Sequence, residues 1–201
     1  LLAAPAVLLL SQGQAKAVLT YNIFESAGNV VVETNGSIDL TGAVPFLQGS
    51  CGINGLTVSS AAIICTGGTA TMQNYRVSGP SAFNGNVTAA PASSVSGIST
   101  MIRGAGLPIF AIDPAYASNT AIIMNATFNG QTLASLGFTT TGLIGTWTLD
   151  GTSETIQVVL GPPSPAVVSG PLPLVGAAAA FGFSRRLRKR IAAPLSTPPQ
   201  A

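Results

Sequence analysis

VLTYNIFESAGNVVVETNGSIDL, residues 18–40, holds three β-rich runs separated by two turn signals. VLTYNIFE and NVVVET are dense in β-branched and aromatic residues, which pack well on a pleated surface. Ser26-Ala27-Gly28 between them predicts a hairpin loop. Asn35-Gly36 is the strongest short hairpin signal, because both central residues of a two-residue turn of this kind need positive φ. It leads into SIDL, so the stretch predicts a three-stranded antiparallel meander. Val18, Tyr21, Ile23, Val30 and Val32 are its expected buried residues.

Working outward, the same grammar continues. Between Thr41 and Pro91, glycine punctuation surrounds GLTVSSAAIIC and the alternating run TATMQNYRV, and residues 81–91 are rich enough in turn formers to predict a surface loop. SSVSGISTMI and LPIFAID are β-like, the latter stopped by Asp113-Pro114. AIIMNATF leads to a second Asn-Gly pair, Asn129-Gly130, which predicts a return into QTLASLGF. Gly145 to Leu149 and Thr155 to Leu160 flank Asp150-Gly151 as a last hairpin. Short strands at this spacing, with no strong amphipathic helix and no repeat of fixed period, predict an all-β fold. The expected form is an antiparallel β-sandwich of jelly-roll or Ig-like type over residues 18–160.

Composition narrows the class. Only 7% of the 201 residues are charged, against about 25% in an ordinary soluble domain, while 47% are hydrophobic, so the lack of charge does not signal disorder. The net charge of +2 averages unlike parts. From Val18 to Ser184, Arg76 and Arg103 face Glu25, Glu33, Asp39, Asp113, Asp150 and Glu154, leaving this region at −4. Such a body has no electrostatic attraction to nucleic acid. Cys51 and Cys65 would close a loop of fifteen residues; in an exported protein they are expected to be oxidised, the alternative being two buried thiols.

The ends read as targeting segments. LLAAPAVLLL followed by Ala15-Lys16-Ala17 has the apolar run and small residues of a secretory signal peptide over residues 1–17, with Val18 the first mature residue. Near the other end, a Pro-rich linker at 161–171 precedes an apolar run, and no ionisable residue occurs from Ala166 to Phe183. Then Arg185, Arg186, Arg188, Lys189 and Arg190 crowd into six positions, a cluster that holds its end on the cytoplasmic side of a membrane. Pro171 and Pro173 place the start of a continuous helix near Leu172. From there to Phe183 it spans roughly 18 Å, well short of the ~30 Å hydrocarbon core. Such a segment suits temporary retention while a processing enzyme acts; the alternatives are an ordinary single-pass tail anchor without processing and a basic nucleic-acid or nuclear-targeting tail, which leaves the apolar run unexplained.

Gly170-Pro171-Leu172-Pro173 leading into GAAAAFGFSRRLRKR resembles the PEP-CTERM sorting signal of exported bacterial proteins, in a form without the acidic residue of Pro-Glu-Pro and with Ile191 to Ala201 extending past the basic cluster. TYNIFESAGNVVVETNGSIDLTG and LASLGFTTTGLIGTWTLDGT also resemble stretches of proteins that carry this tail. The resemblance implies a hydrophobic helix plus basic cluster at 172–190, recognised by an exosortase-like membrane transpeptidase; residues 191–201, outside that pattern, are expected to be a disordered tail. It also implies delivery to the cell surface or the exopolysaccharide matrix; with signal peptidase from the N-terminal pattern, the expected partners are these two processing enzymes, the membrane and, as one option, extracellular polysaccharide. It carries no catalytic residue.

Little catalytic chemistry is visible. The chain has no histidine, which excludes Ser-His-Asp and Cys-His catalysis and imidazole metal sites. No phosphate-binding glycine loop occurs, and no cofactor or metal site is expected; the alternative is a Ca²⁺ site from a few carboxylates and backbone carbonyls, without an EF-hand pattern. One enzymatic arrangement stays open, a carboxylate pair of the glycosidase kind drawn from Asp113 and Asp150 or Glu154; the alternative is that all six acids serve turns and outer strand faces. Trp147, Tyr21, Tyr75 and Tyr116 could stack on a sugar ring or fill a core. Asn35, Asn86 and Asn125 begin N-x-S/T triplets of a frequency that chance explains in so Ser-, Thr- and Asn-rich a chain.

Overall fold

In the computed structural model, residues 17–58, 62–83 and 88–161 are described, and every regular element among them is a β-strand. β1 (Val18–Ser26) and β2 (Asn29–Asn35) form the expected first hairpin. Its two-residue turn, Ala27 at φ +50° and Gly28 at φ +78°, has the left-handed backbone that matches the twist of the strands. β3 (Pro45–Gly49), β4 (Gly55–Val58), β5 (Ile63–Cys65), β6 (Met72–Ser78), β7 (Thr88–Pro91), β8 (Ser94–Gly97), β9 (Thr100–Arg103), β10 (Ile109–Ile112) and β11 (Met124–Phe128) follow. β12 (Gly142–Leu149) and β13 (Thr155–Leu160) make the expected last hairpin.

The strands hydrogen-bond in the order β7-β4-β5-β9-β10-β6-β12-β13-β1-β2-β11-β8, with β3 paired to β6 beside this path. One pairing departs from the antiparallel expectation: β1 runs parallel to β13, from Val18 opposite Thr155 to Ile23 opposite Leu160, so the strongly curled sheet is mixed. The first and last hairpins dock edge to edge through these strands. A parallel pair needs a long crossover, and here the rest of the body supplies it.

β6 makes the junction. β10 covers one of its edges from Gln73 to Arg76, while β3 and β12 share the other, β12 only at Val77 and Ser78. The two ends of the path, β7 and β8, are consecutive in the chain and separated only by Ala92 and Ser93. Ala92 N–H donates to Asn54 O next to β4, and Ser93 N–H to Thr127 O in β11. The two ends of the path therefore meet through the chain at one corner.

Three local expectations gave way to long-range pairing. SIDL is not a strand, because the free edge of β2 is taken by β11 (Asn125 opposite Glu33, Phe128 opposite Val30). Instead Ile38 is fully buried, and the Tyr116 hydroxyl accepts from its N–H at 3.0 Å while lying 2.9 Å from both Ile38 O and Thr120 O. The Asn129-Gly130 turn forms, but Gln131 to Thr139 do not return as a full strand, since β8 occupies the edge of β11. They coil through turns that bury Leu136 and Phe138. Within the expected 81–91 loop, Thr88 to Pro91 pairs with β4 as β7.

The core parity of β1 is Leu19, Tyr21 and Ile23, all fully buried, which leaves Val18 on the opposite parity at 37% exposure and corrects its expected place inside. Val30 and Val32 are buried as expected. The main core joins residues from both halves of the path, among them Tyr21, Val32, Ile64, Ile102, Phe110, Trp147 and Val158. The targeting features at Ala15, Gly170 to Pro173 and Arg185 to Arg190 lie outside the described residues, as does Asn86. Among the described residues no helix is long and apolar enough to cross a membrane.

Candidate functional site

The sequences IIC and IFAI are continuous apolar runs, which is what a strand covered on both faces requires, and TMIR between them pairs with both. On one face of β5, β9 and β10, Ile64, Ile102, Phe110 and Ile112 point into the main core. On the other, Cys65, Met101, Ile109 and Ala111 join Met72 of β6 in a second, smaller cluster, with Phe46, Cys51, Ile63 and Leu107 packed against it. Cys51 and Cys65 are bonded in a disulfide with Cα atoms 6.3 Å apart, the first of the two states the sequence left open. The link pins the loop after β3 over this second face.

A pocket of about 280 Å³ opens beside the disulfide. Gly49, Ser50 and Cys51 form one wall, Ile63, Met101 and Ile109 supply apolar surface, and two polar side chains, Asn74 and Arg103, complete the lining. The register explains the placement. Arg103, Ile109 and Arg76 are cross-strand partners in one row, and Met101, Ala111 and Asn74 in the next. Both basic residues of the body thus stand in one row on this face, about 10 Å apart across two strand spacings. Arg76 lies 4.8 Å over the Phe46 ring, a cation–π geometry. Arg103 directs Nε and Nη2 to Leu107 O at 3.2 and 3.1 Å. Asn74 is 8% exposed, and its Oδ1 has no hydrogen-bond partner.

The carboxylates are placed otherwise. Glu25 accepts from Leu133 N–H, Glu33 from Asn125 Nδ2, Asp113 from Ala115 N–H, Asp150 from Ser78 Oγ, and Glu154 from Asp39 N–H. Asp39 accepts from Thr41 N–H at 2.9 Å. Each braces a turn or a neighbouring strand, and none lines the pocket. Asp113 follows Ile112, which sits opposite Gln73, whereas Asp150 N–H bonds Arg76 O beyond the other end of that ladder. At about 3.3 Å per residue roughly 10 Å or more of strand separates them. Among the described residues no group of three or more Asp, Glu, Cys or His is placed to hold a metal ion.

The Thr41 backbone N–H, followed by its side chain and that of Asn119, holds the Asp39 carboxyl below its usual range. A carboxylate whose folded pKa is depressed adds stability that is present above its unfolded value, about 3.9, and is lost as pH falls through the folded value. Asp39→Ala is therefore expected to lower the urea midpoint at neutral pH, by an amount that shrinks as pH falls below about 4. A difference that stays constant through that range in urea titrations would show that the carboxylate's charge is not involved.

The aromatic candidates divide. Trp147 and Tyr21 are fully buried, and burial pushes the Tyr21 phenol well above its ordinary pKa; the hydroxyl lies towards Thr100 without closing a hydrogen bond. Tyr75 and Tyr116 are half-buried, with the Tyr116 hydroxyl engaged as described above. No sugar-stacking platform is built from Trp147 or Tyr21. The pocket residues escaped the sequence reading because Asn74 is one of many asparagines and Arg103 one of two isolated arginines. The usable signal was the unbroken apolar character of IFAI, which marks a strand with a second covered face.

No protein-family model, no curated protein and no solved structure matches the chain.

Proposed function

We propose that this chain is a secreted, non-enzymatic β-sandwich protein of the cell surface or extracellular matrix, sorted through its C-terminal membrane segment. The disulfide is the observation that carries the reading. Cys51 and Cys65 are bonded to one another and no described cysteine is free, and such bonds persist in oxidising compartments, rarely in the cytosol. The PEP-CTERM-like arrangement of Gly170 to Pro173 and Arg185 to Arg190 and the signal-peptide pattern ending at Ala17 point the same way. The sandwich form is supported by a main core shared between β1, β2, β12 and β13 on one side and β5, β9 and β10 on the other. The corner where β7 passes into β8 also fits two layers joined by a strand that switches sheets. The engagement of all six carboxylates in bracing hydrogen bonds supports a structural rather than a catalytic use of the body.

Intact-mass measurement on the protein expressed in a bacterium that possesses an exosortase tests both ends and the disulfide together. The expected product is exported, starts at Val18, contains oxidised cysteines and has lost the segment from about Gly170 onward. A cytoplasmic product of full mass with two free thiols would end the proposal.

A further inference from the structure

The pocket beside the disulfide combines features that nothing in the targeting account uses. It sets an apolar surface of Ile63, Met101 and Ile109 beside two polar groups. One is Asn74, more than nine-tenths buried and with a carboxamide oxygen that meets no donor. Leaving such an atom without a partner is costly, so a ligand that brings an O–H or N–H to this carboxamide recovers a bond the folded chain lacks. The other is Arg103, which has five N–H donors in a planar fork. The Leu107 carbonyl engages its Nε and Nη2 on one side, which orients the fork and leaves other N–H groups to bind. Arg76 stands in the same row across Ile109, and no carboxylate lines the pocket. In a body of net charge −4, both cations are gathered on this face.

We propose that this pocket binds a hydroxycarboxylate of monosaccharide size, with its carboxylate on Arg103, a hydroxyl on the Asn74 carboxamide and its C–H face against Ile63, Met101 and Ile109. A fork of guanidinium donors matches a carboxylate better than a neutral group. A partner with one apolar face and a polar edge fits a sugar acid better than a fatty acid, which offers nothing to Asn74. A volume of about 280 Å³ accommodates one such ring and no long chain. The ligand is either a free sugar acid or one uronate unit of an acidic polysaccharide; the chemistry recognised is the same. This assignment rests on the pocket alone and is independent of how the protein is sorted.

The test uses the oxidised body with uniform 15N labelling, titrated separately with glucuronate, with glucose as the uncharged counterpart, and with oligogalacturonate. Glucuronate is expected to shift the amides of Gly49, Ser50 and Ile109 saturably and to bind about tenfold or more tightly than glucose, the margin given by one charge-assisted bond. Arg103→Met is expected to remove that margin, Arg103→Lys to keep part of it, and Asn74→Ala to weaken glucuronate severalfold. Binding of oligogalacturonate in addition to glucuronate identifies the polymer as the source, and binding of the monomer alone identifies the free acid. Absence of saturable shifts at these amides with either acid overturns the proposal. So does equal affinity for glucose and glucuronate, or an Arg103→Met variant that keeps the parental amide spectrum elsewhere and binds glucuronate undiminished. Because the shifts are read first in the unaltered protein, a variant that fails to fold does not decide the result.

Discussion

Trp147→Ala is expected to destabilise the body by about 4 kcal/mol, the range measured for deleting a large aromatic from a packed core. In a domain of this size that lowers the thermal midpoint by roughly 10 °C. Trp147 is fully buried, meets Phe83 edge-on with ring centroids 5.9 Å apart and planes at 89°, and donates from Nε1 to Pro80 O at 3.0 Å. Truncation leaves a cavity and also an unpaired carbonyl at Pro80. The indole lies against backbone at two points. A Cβ at Gly79 would stand 2.6 Å from the ring and one at Gly145 would enter its contact distance. Neither glycine has a positive φ, so it is close approach and not turn geometry that demands them. Gly145→Ala is accordingly expected to destabilise as overpacking does, by about 1–3 kcal/mol. Urea unfolding of the two variants reads both effects. A Trp147→Ala variant within about 1 kcal/mol of the parent would remove the ring from the core and return it to the surface as a candidate sugar platform.

Loss of the Cys51–Cys65 bond is the second large effect, expected to cost about 3 kcal/mol through the freedom regained by a fifteen-residue loop in the unfolded chain. Cys51→Ala combined with Cys65→Ala is the appropriate variant, because Cys65 is 2% exposed and a serine hydroxyl there would be buried as well. The expected result is a lower urea midpoint for the double variant, matched by the parent under reducing conditions and unaffected by further reductant. The loop after β3 is also tied by Gly52 N–H to Gly68 O at 2.9 Å, so the native strands are expected to persist in the variant while the pocket wall at Gly49 to Cys51 loses its anchor. A double variant as stable as the parent would mean that the loop is already restricted when unfolded, and the oxidised state would then contribute nothing to the fold.

The hairpins were legible because they are local. In β1 and β2 the apolar alternation and the Ala27-Gly28 turn specify a pairing between neighbours that needs no information from elsewhere, and the same holds for β12 and β13 across the Asp150-Gly151 turn. The two Asn-Gly pairs mark real changes of direction, yet neither is followed by the full strand it predicts. A turn signal says that the chain reverses, not whether the neighbouring edge is free. β11 and β8 had claimed those edges from distant parts of the chain. The candidate site was less legible still. Arg76, Arg103 and Asn74 sit on three separate strands, and only the registers of β10 with β6 and β9 bring them to one face.

Read alone, the chain left Cys51 and Cys65 open between a bond and two thiols until the structure joined them, but it was enough for the all-β class, the first and last hairpins and the scarcity of charge. These follow from side-chain alternation, turn chemistry and composition, which act over a few residues or over the whole chain at once. Only the tertiary structure decided that β1 lies parallel to β13, that the ends of the sheet meet at Ala92 and Ser93, and that an unpartnered asparagine and an arginine share a pocket beside the disulfide. The reason is physical: strands of similar apolar pattern compete for the same edges, and the winner is set by how the two buried faces pack together, a property of pairs of residues far apart in the chain.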